Sequence, residues 1–209
     1  MKTYILLDRS SSMSRKWDET LKAINSYVKA LKGRDQNIFL ALFDNINEGL
    51  RFEHARECLK KDWKPLTTEE FRPHGSTPLN DALATMILKM LSENEERAVL
   101  VVMTDGHENC SKNFSKKSVK EMMKTVNNKD WQVVFLGAEF EDIKDQSNDY
   151  GVDYVRRGII SSTENYSSTY NELAKKVNVY ANAPRDFTSV QLAATMDFSA
   201  EEQDKLKGK

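Results

Sequence analysis

The sequence has little of what marks a secreted, membrane-embedded or nucleic-acid-binding protein. Only two of its 209 residues are cysteines, Cys58 and Cys110, so we predict no disulfide framework and expect a reducing, cytoplasmic setting. The longest apolar runs, such as residues 98–103, fall far short of the roughly 20 residues that span a bilayer. Strand-like residues stand at positions 3–8, so we expect no signal peptide. With 31 basic and 32 acidic residues its net charge is −1, and without a basic stripe we expect neither a nucleic-acid nor a membrane partner.

What is present suits a globular domain. Hydrophobic residues make up 39% of the chain and charged residues 30%, a balance that supports one hydrophobic core. We assign residues 1–184 to one domain and residues 185–209 to a C-terminal extension of short docked helices. In that extension Phe187, Leu192 and Phe198 are expected to pack on the domain, and Ser199 with Glu202 fits a capping box.

Short apolar runs alternate with helical stripes along the chain. This alternation predicts a doubly wound α/β fold of Rossmann-like form, with a mostly parallel central sheet, helices on both faces and one short antiparallel edge strand. A turn over residues 45–49 leads to that edge strand at 50–53, and residues 54–76 look less regular. Buried strands are predicted at 4–7, 38–43, 98–103, 131–136 and 154–155, and helices at 17–31, 79–90, 116–126, 141–150 and 166–180.

Polar clusters follow the strands at the edge where such sheets bind ligands. Asp8, Ser10 and Ser12 come directly after the first strand, Asp105 follows the central strand, and Thr77 precedes a helix. Mg²⁺ prefers an octahedral set of six oxygen ligands, and these five side chains can supply five of them. Two carboxylates only balance a divalent ion, so a vacant coordination position would still attract an external carboxylate. The alternative is that these residues are helix caps and turn residues.

At these residues the sequence resembles the von Willebrand factor A domains and their metal-ion-dependent adhesion site, over roughly residues 2–180. It looks most like the small bacterial and phage members of that family. The motifs that carry the resemblance are Leu6-Leu7-Asp8-Arg9-Ser10-x-Ser12, Asp62-Trp63-Lys64-Pro65, Gly75-x-Thr77-Pro78-Leu79-x-x-Ala82, Thr104-Asp105-Gly106-x-Glu108-Asn109 and the strand from Trp131 to Gly137.

The resemblance implies that Asp8, Ser10, Ser12, Thr77 and Asp105 hold a Mg²⁺ or Mn²⁺ ion whose sixth position takes a ligand carboxylate. The chain departs from many members in one place, because Ser11 stands where they have glycine. If that loop needs a positive φ, Ser11 is strained there and the affinity for metal falls.

Five further residues are candidates for a partner-binding rim or for support of the metal ligands: Arg9, Ser11, Asp44, His107 and Glu108. For Arg9, His107 and Glu108 the alternative is a solvated loop surface. For Asp44 the alternative is a cap of the turn before Asn47.

The function predicted from these features is metal-dependent binding of a protein partner through its Glu or Asp side chain, without catalysis. One alternative is a structural subunit, for example beside an ATPase, whose metal only fixes the loops. Another is a metal-dependent phosphohydrolase, although no second aspartate lies near Asp8 to act as acid or base. The resemblance places the protein in the cytoplasm of a bacterial or phage-infected cell.

Overall fold

The computed structural model describes residues 1–33, 35–47, 49–105, 107–137, 150–151, 158–159 and 166–206. The predicted strand at 154–155 lies outside these residues, as does the predicted helix at 141–150 apart from Tyr150. Among the described helices, none combines the length and hydrophobicity that a membrane span requires.

A six-stranded sheet in the order β3-β2-β1-β4-β5-β6 forms the centre of the fold. Neighbouring strands are parallel except for β3, which runs antiparallel to β2 at one edge. The predicted doubly wound α/β fold is therefore confirmed. The strands are β1 (Lys2–Asp8), β2 (Asn37–Ile46), β3 (Gly49–Leu59), β4 (Ala98–Met103), β5 (Gln132–Gly137) and β6 (Gly158–Ile159).

Helices cover both faces of this sheet, which explains why strands β1, β4 and β5 are buried along their whole length. The helices are α1 (Trp17–Ala30), α2 (Leu79–Glu93), α3 (Lys116–Asn128), α4 (Tyr166–Ala181), α5 (Ser189–Ala194) and α6 (Ala200–Leu206). Helices α1 and α4 contribute to the core on one face, and α2 and α3 to the core on the other. Because β1, β2 and β4 are parallel, Asp8, Asp44 and Thr104 meet at one edge of the sheet.

The antiparallel edge strand is longer than predicted. Strand β3 runs for 11 residues, so the predicted strand at 50–53 was too short and residues 54–59 are not irregular. A register shift explains the error, because His54 pairs with Ala41 while Arg56 pairs with Leu40. Ala55 is the extra residue of a β-bulge, and it breaks the apolar–polar alternation by which a strand is recognised.

The C-terminal segment packs on the α1–α4 face. Leu192, Met196 and Phe198 are buried in that core, and Phe187 packs against it. The Ser199 hydroxyl accepts from the Glu202 backbone N–H while the Glu202 carboxylate accepts from the Ser199 N–H, so this capping box is confirmed. A domain boundary after residue 184 stays a prediction.

A charged cluster joins the start of β1 to the end of α2, at the opposite edge of the sheet from Asp8. Lys2 donates to Glu93 and Glu57, and Tyr4 and Lys89 also donate to Glu93. Burial on its own raises the pKa of Glu93, but hydrogen bonds from Lys89, Tyr4 and Lys2 outweigh it and lower the pKa from 4.5 to about 2. The ionised form of Glu93 therefore stabilises the folded state.

We expect the substitution Glu93→Gln to lower the free energy of unfolding at pH 7 by about 2 kcal/mol. A depressed pKa means that the contribution is present above pH 4.5 and is lost as the pH falls towards 2, so wild type and variant should converge over this range. Urea unfolding across pH 2–7 measures the difference. Glu121→Gln, which removes an exposed i,i+3 pair with Lys124, is the control and should show little change. A constant wild-type-to-variant gap from pH 7 to pH 2 would contradict the explanation.

Candidate metal centre

Asp8 is fixed at the carboxyl end of β1 by two hydrogen bonds. Its side chain is fully buried, Oδ1 accepts from the Ser10 backbone N–H at 2.7 Å, and Oδ2 accepts from the Thr104 hydroxyl at 2.6 Å. Thr104 directly follows β4, so the bond joins the ends of two neighbouring strands. The carboxylate is thereby held in one orientation at the sheet edge.

Three more predicted ligands lie together beside Asp8. The hydroxyl oxygens of Ser10 and Ser12 are 3.0 Å apart, and the Ser12 hydroxyl donates to Asp105 Oδ1 at 2.7 Å. Ser10 is buried and Ser12 is exposed. The loop after β1 therefore directs its hydroxyl groups at the loop after β4, in agreement with the spacing seen in the sequence.

Thr77 is connected to the same region through its backbone. Its N–H donates to the Asn109 side chain at 3.0 Å, and its carbonyl accepts from the Asn109 N–H at 3.2 Å. This reciprocal pair ties the start of α2 to the loop that carries Asp105. In the part of the chain that the structure describes, the Thr77 hydroxyl makes no hydrogen bond to the other four predicted ligands.

Gly75 allows the loop before Thr77 to approach the β2–β3 turn. Its φ is +75°, and a Cβ atom at this position would lie 2.4 Å from the Asn45 carbonyl oxygen. The Gly75 carbonyl in turn accepts from the Ser11 N–H at 3.1 Å. Glycine is required here both for its φ and for the close backbone approach.

Ser11 does not have the positive φ that would strain a residue other than glycine at this position. It begins a short 3₁₀ helix (Ser11–Lys16), and the non-glycine residues with positive φ in the described chain are Asn47, Asn94 and Asp130. A side chain at position 11 is therefore compatible with the loop.

We expect Ser11→Gly to leave the metal affinity within about two-fold of wild type and to lower the free energy of unfolding by about 0.5–1 kcal/mol, because glycine loses more backbone entropy on folding. Calorimetric titration with Mg²⁺ and urea unfolding of the same preparation measure the two quantities. A variant that binds the ion at least ten-fold more tightly would show that Ser11 is strained after all.

Arg9 and Asp44 form a buried ion pair, which favours support of the metal ligands over partner binding for Arg9. Arg9 is only 4% exposed, and its Nε donates to Asp44 Oδ2 at 2.8 Å while Nη1 donates to Glu53 Oε2 at 2.7 Å. Arg51 donates to both oxygens of Asp44. Asp44 is thus an acceptor for two arginines instead of a turn cap. Because Arg9 lies between Asp8 and Ser10, the pair anchors the loop of predicted ligands to the β2–β3 hairpin.

Glu108 has backbone contacts that favour a supporting role, and its role in partner binding stays a prediction. Its carboxylate accepts from the N–H groups of Asn80, Cys110 and Ser111 and from the Ser111 hydroxyl. Asn80 lies in the first turn of α2, where an acidic group is favourable. Glu108 therefore holds the loop after β4 against α2. His107 is exposed, and its role at the rim stays a prediction.

Sequence reasoning missed the residue that holds the rest of this loop. Asp81 is buried in the first turn of α2 and accepts from the backbone N–H groups of Lys112, Asn113 and Phe114. The only signal for it was an acidic residue early in a helix, which is too common to indicate a loop anchor. Lys16, whose Nζ lies 3.3 Å from Asp105 Oδ2, was also missed, because a single lysine is usually a solvated surface residue.

A family model for the von Willebrand factor type A domain matches residues 3–191. The chain belongs to the von Willebrand factor type A family. Members of this family often act as metal-dependent protein-interaction modules. No curated protein sequence matches the chain significantly.

Solved structures of von Willebrand factor type A domains share the fold at low sequence identity. The domain from Catenulispora acidiphila has a TM-score of 0.64 at 13% identity and covers 85% of this chain, which spans 42% of that one. The domain of the type V pili tip protein Mfa5 from Porphyromonas gingivalis has a TM-score of 0.64 at 11% identity, with 90% and 97% covered. Proximal thread matrix protein 1 of the mussel byssus, described with a zinc-occupied MIDAS motif, has a TM-score of 0.58 at 15% identity, with 85% and 48% covered.

The side chains at this edge of the von Willebrand factor type A fold suit a hard divalent cation. The donors are carboxylate and hydroxyl oxygens, as Mg²⁺ and Mn²⁺ prefer. Among the described residues no group of three or more His, Cys, Asp or Glu side chains could hold a metal, so a site here depends on the serine and threonine hydroxyls. The fully buried Asp8 has no cationic partner of its own in the contacts described above. Burial, with a smaller contribution from the Asp105 charge, raises its pKa to about 6 against the hydrogen bonds from Thr104 and Ser10. A cation bound here would remove this penalty.

Proposed function

We propose that the chain is a metal-dependent protein-binding module. Asp8, Ser10, Ser12, Thr77 and Asp105 hold one Mg²⁺ or Mn²⁺ ion, and the partner offers a Glu or Asp carboxylate. When bound, the ion supplies a Lewis-acidic coordination position for that carboxylate. The observation that carries the proposal is the pair of contacts from Ser10 to Ser12 and from Ser12 to Asp105, which joins two loops into one cluster of oxygen donors.

The protein's own residues prepare this cluster before any ligand arrives. Thr104 orients Asp8, and the buried pair of Arg9 with Asp44 fixes the loop that carries Ser10. The loop after β4 is held by Glu108. Such preorganisation lowers the entropic cost of binding.

The same contacts favour binding over hydrolysis. A metal-dependent hydrolase needs a free acid or base beside the ion. The carboxylates of Glu108 and Asp81 accept several backbone N–H bonds each, and Asp44 is paired with two arginines. These acidic groups are therefore occupied in holding loops.

Capture of the partner from native lysate tests the proposal, with and without EDTA. We expect wild type to retain a protein in Mg²⁺ and to release it in EDTA, and Asp105→Ala to retain none in either buffer. Asp18→Ala removes an exposed carboxylate that pairs with Lys22 and should behave as wild type. Calorimetric titration of the same proteins with Mg²⁺ should show binding to wild type and to Asp18→Ala alone.

Two results would count against the proposal. If native wild-type protein shows no heat of binding with either Mg²⁺ or Mn²⁺, the protein does not bind the proposed metal ion. A partner that is retained equally by wild type in EDTA and by Asp105→Ala would favour the alternative of a structural subunit whose metal meets no partner carboxylate.

A further inference from the structure

Lys16 brings a positive charge to a carboxylate of the proposed metal site. Its Nζ lies 3.3 Å from Asp105 Oδ2, and the two side chains are only 20% and 4% exposed. The 3₁₀ helix Ser11–Lys16 places Lys16 one turn after Ser12, so both reach the same carboxylate. Each oxygen of Asp105 consequently has a donor from this one short segment.

This contact changes the charge balance of the site. Asp8 and Asp105 carry two negative charges, and Lys16 offsets one of them. A divalent ion bound to either oxygen of Asp105 lies close to the ammonium group of Lys16 and is repelled by it at short range in a partly dehydrated environment. With the ion present, the three side chains and the metal sum to one positive charge instead of zero.

We infer that Lys16 is an electrostatic specificity residue of this site. It lowers the affinity of the site for the cation and raises the affinity of the loaded site for an acidic ligand. This inference rests on the proposed function. The ammonium group competes with the cation for Asp105, so the ion binds less tightly than the five oxygen donors alone would allow. The surplus positive charge in turn favours an anionic group at the loaded site over a neutral one.

Titration calorimetry with Mn²⁺ as the probe tests this on four proteins. Lys16→Met keeps an apolar stem of similar length and removes the charge, whereas Lys16→Arg keeps the charge. Lys22→Met is the matched control. Lys22 lies in the following helix α1, and among the described residues it pairs only with exposed carboxylates. Urea unfolding in EDTA reports whether each variant is folded.

We expect Lys16→Met to bind Mn²⁺ about ten-fold more tightly than wild type, with Lys16→Arg and Lys22→Met within about two-fold of wild type. The gain for Lys16→Met should shrink at high salt, because screening weakens the repulsion that was removed. In EDTA the same variant should be less stable than wild type, since Asp105 has lost its counter-charge beside Asp8.

The outcomes separate this inference from the function on which it rests. Wild-type protein that binds Mn²⁺ while Lys16→Met binds it equally or more weakly would overturn the role of Lys16 and leave the metal site intact. Equal tightening in Lys16→Arg would also overturn it, because the effect would then not come from charge. Absence of Mn²⁺ binding in all four folded proteins would overturn the proposed function together with this inference.

Discussion

The substitution Asp8→Asn is expected to abolish metal binding and, at the same time, to make the metal-free protein more stable. The loss of affinity should exceed about 100-fold, because one of only two carboxylates among the proposed ligands becomes neutral. The gain in the free energy of unfolding at pH 7 in EDTA should be about 1–3 kcal/mol. A variant that loses function and gains stability shows that a residue is kept for its function.

The gain in stability follows from the burial of Asp8. Its folded-state pKa is raised from 3.8 to about 6, so the ionised carboxylate disfavours the folded state at pH 7. A raised pKa of an acid means that this penalty is fully present above pH 6 and disappears as the pH falls from 6 to 3.8. Asparagine keeps the oxygen that accepts from the Ser10 N–H, and its NH₂ group can donate to the Thr104 hydroxyl in place of the present bond.

Thermal unfolding of both proteins in EDTA and in saturating Mg²⁺ measures the two effects together. In EDTA the variant should melt at the higher temperature, and in Mg²⁺ only wild type should shift upwards, since a ligand that binds the folded state alone stabilises it. Asp18→Asn changes an exposed carboxylate and should follow wild type in both buffers. If the melting temperature of Asp8→Asn still rises with Mg²⁺, Asp8 is not a metal ligand.

The fold was predictable because buried strands and amphipathic helices have distinct periods. The run from Ala98 to Met103 carries six apolar residues and coincides with β4, and the stripe from Trp17 to Val28 lies on α1. The edge strand β3 was not predictable in full. Most of its side chains are half-buried, and its bulge at Ala55 ends the alternation that residues 50–53 show, so the second half of the strand has no period of two in register with the first.

The proposed metal ligands were easier to predict from the sequence than the residues that hold their loops in place. Asp8, Ser10 and Ser12 are two residues apart in one loop, so their proximity follows from local spacing. The partners of Arg9 and Glu108 come from other elements, 35 residues away at Asp44 and 28 residues away at Asn80. A charged residue in a loop is usually solvated, and only the packing of separate loops shows that these two are not.

Removal of Asp44 is expected to have the largest effect on stability. The carboxylate is fully buried and accepts from Arg9 and from both nitrogens of Arg51 that face it. In Asp44→Ala the Arg9 guanidinium would remain buried, with Glu53 as its one carboxylate among the described residues, where its Nη2 already lacks a hydrogen-bond partner. Loss of one member of a buried pair costs about 3–5 kcal/mol, and we expect a decrease of this size in the free energy of unfolding.

A double substitution separates the cost of an unpaired charge from the loss of the pair itself. In Arg9→Met with Asp44→Leu both buried charges are gone and apolar volume replaces them, while Arg51, which is 30% exposed, can be solvated; most of the lost stability should therefore return. Asp35→Ala breaks an exposed pair with Lys61 and should cost less than about 1 kcal/mol. Urea unfolding at pH 7 measures all three.

The double variant also reports on the metal site. Arg9 and Asp44 fix the loop between Asp8 and Ser10 from behind, so a stable double variant that binds Mg²⁺ at least ten-fold more weakly would make the pair a positioning device for the ligands. If the free energy of unfolding of Asp44→Ala lies within about 1 kcal/mol of wild type, water reaches Arg9 in the variant and the expected cost of an unpaired buried charge is wrong. The two readouts are independent, because stability depends on the buried charges and metal affinity depends on where the loop places its oxygen atoms.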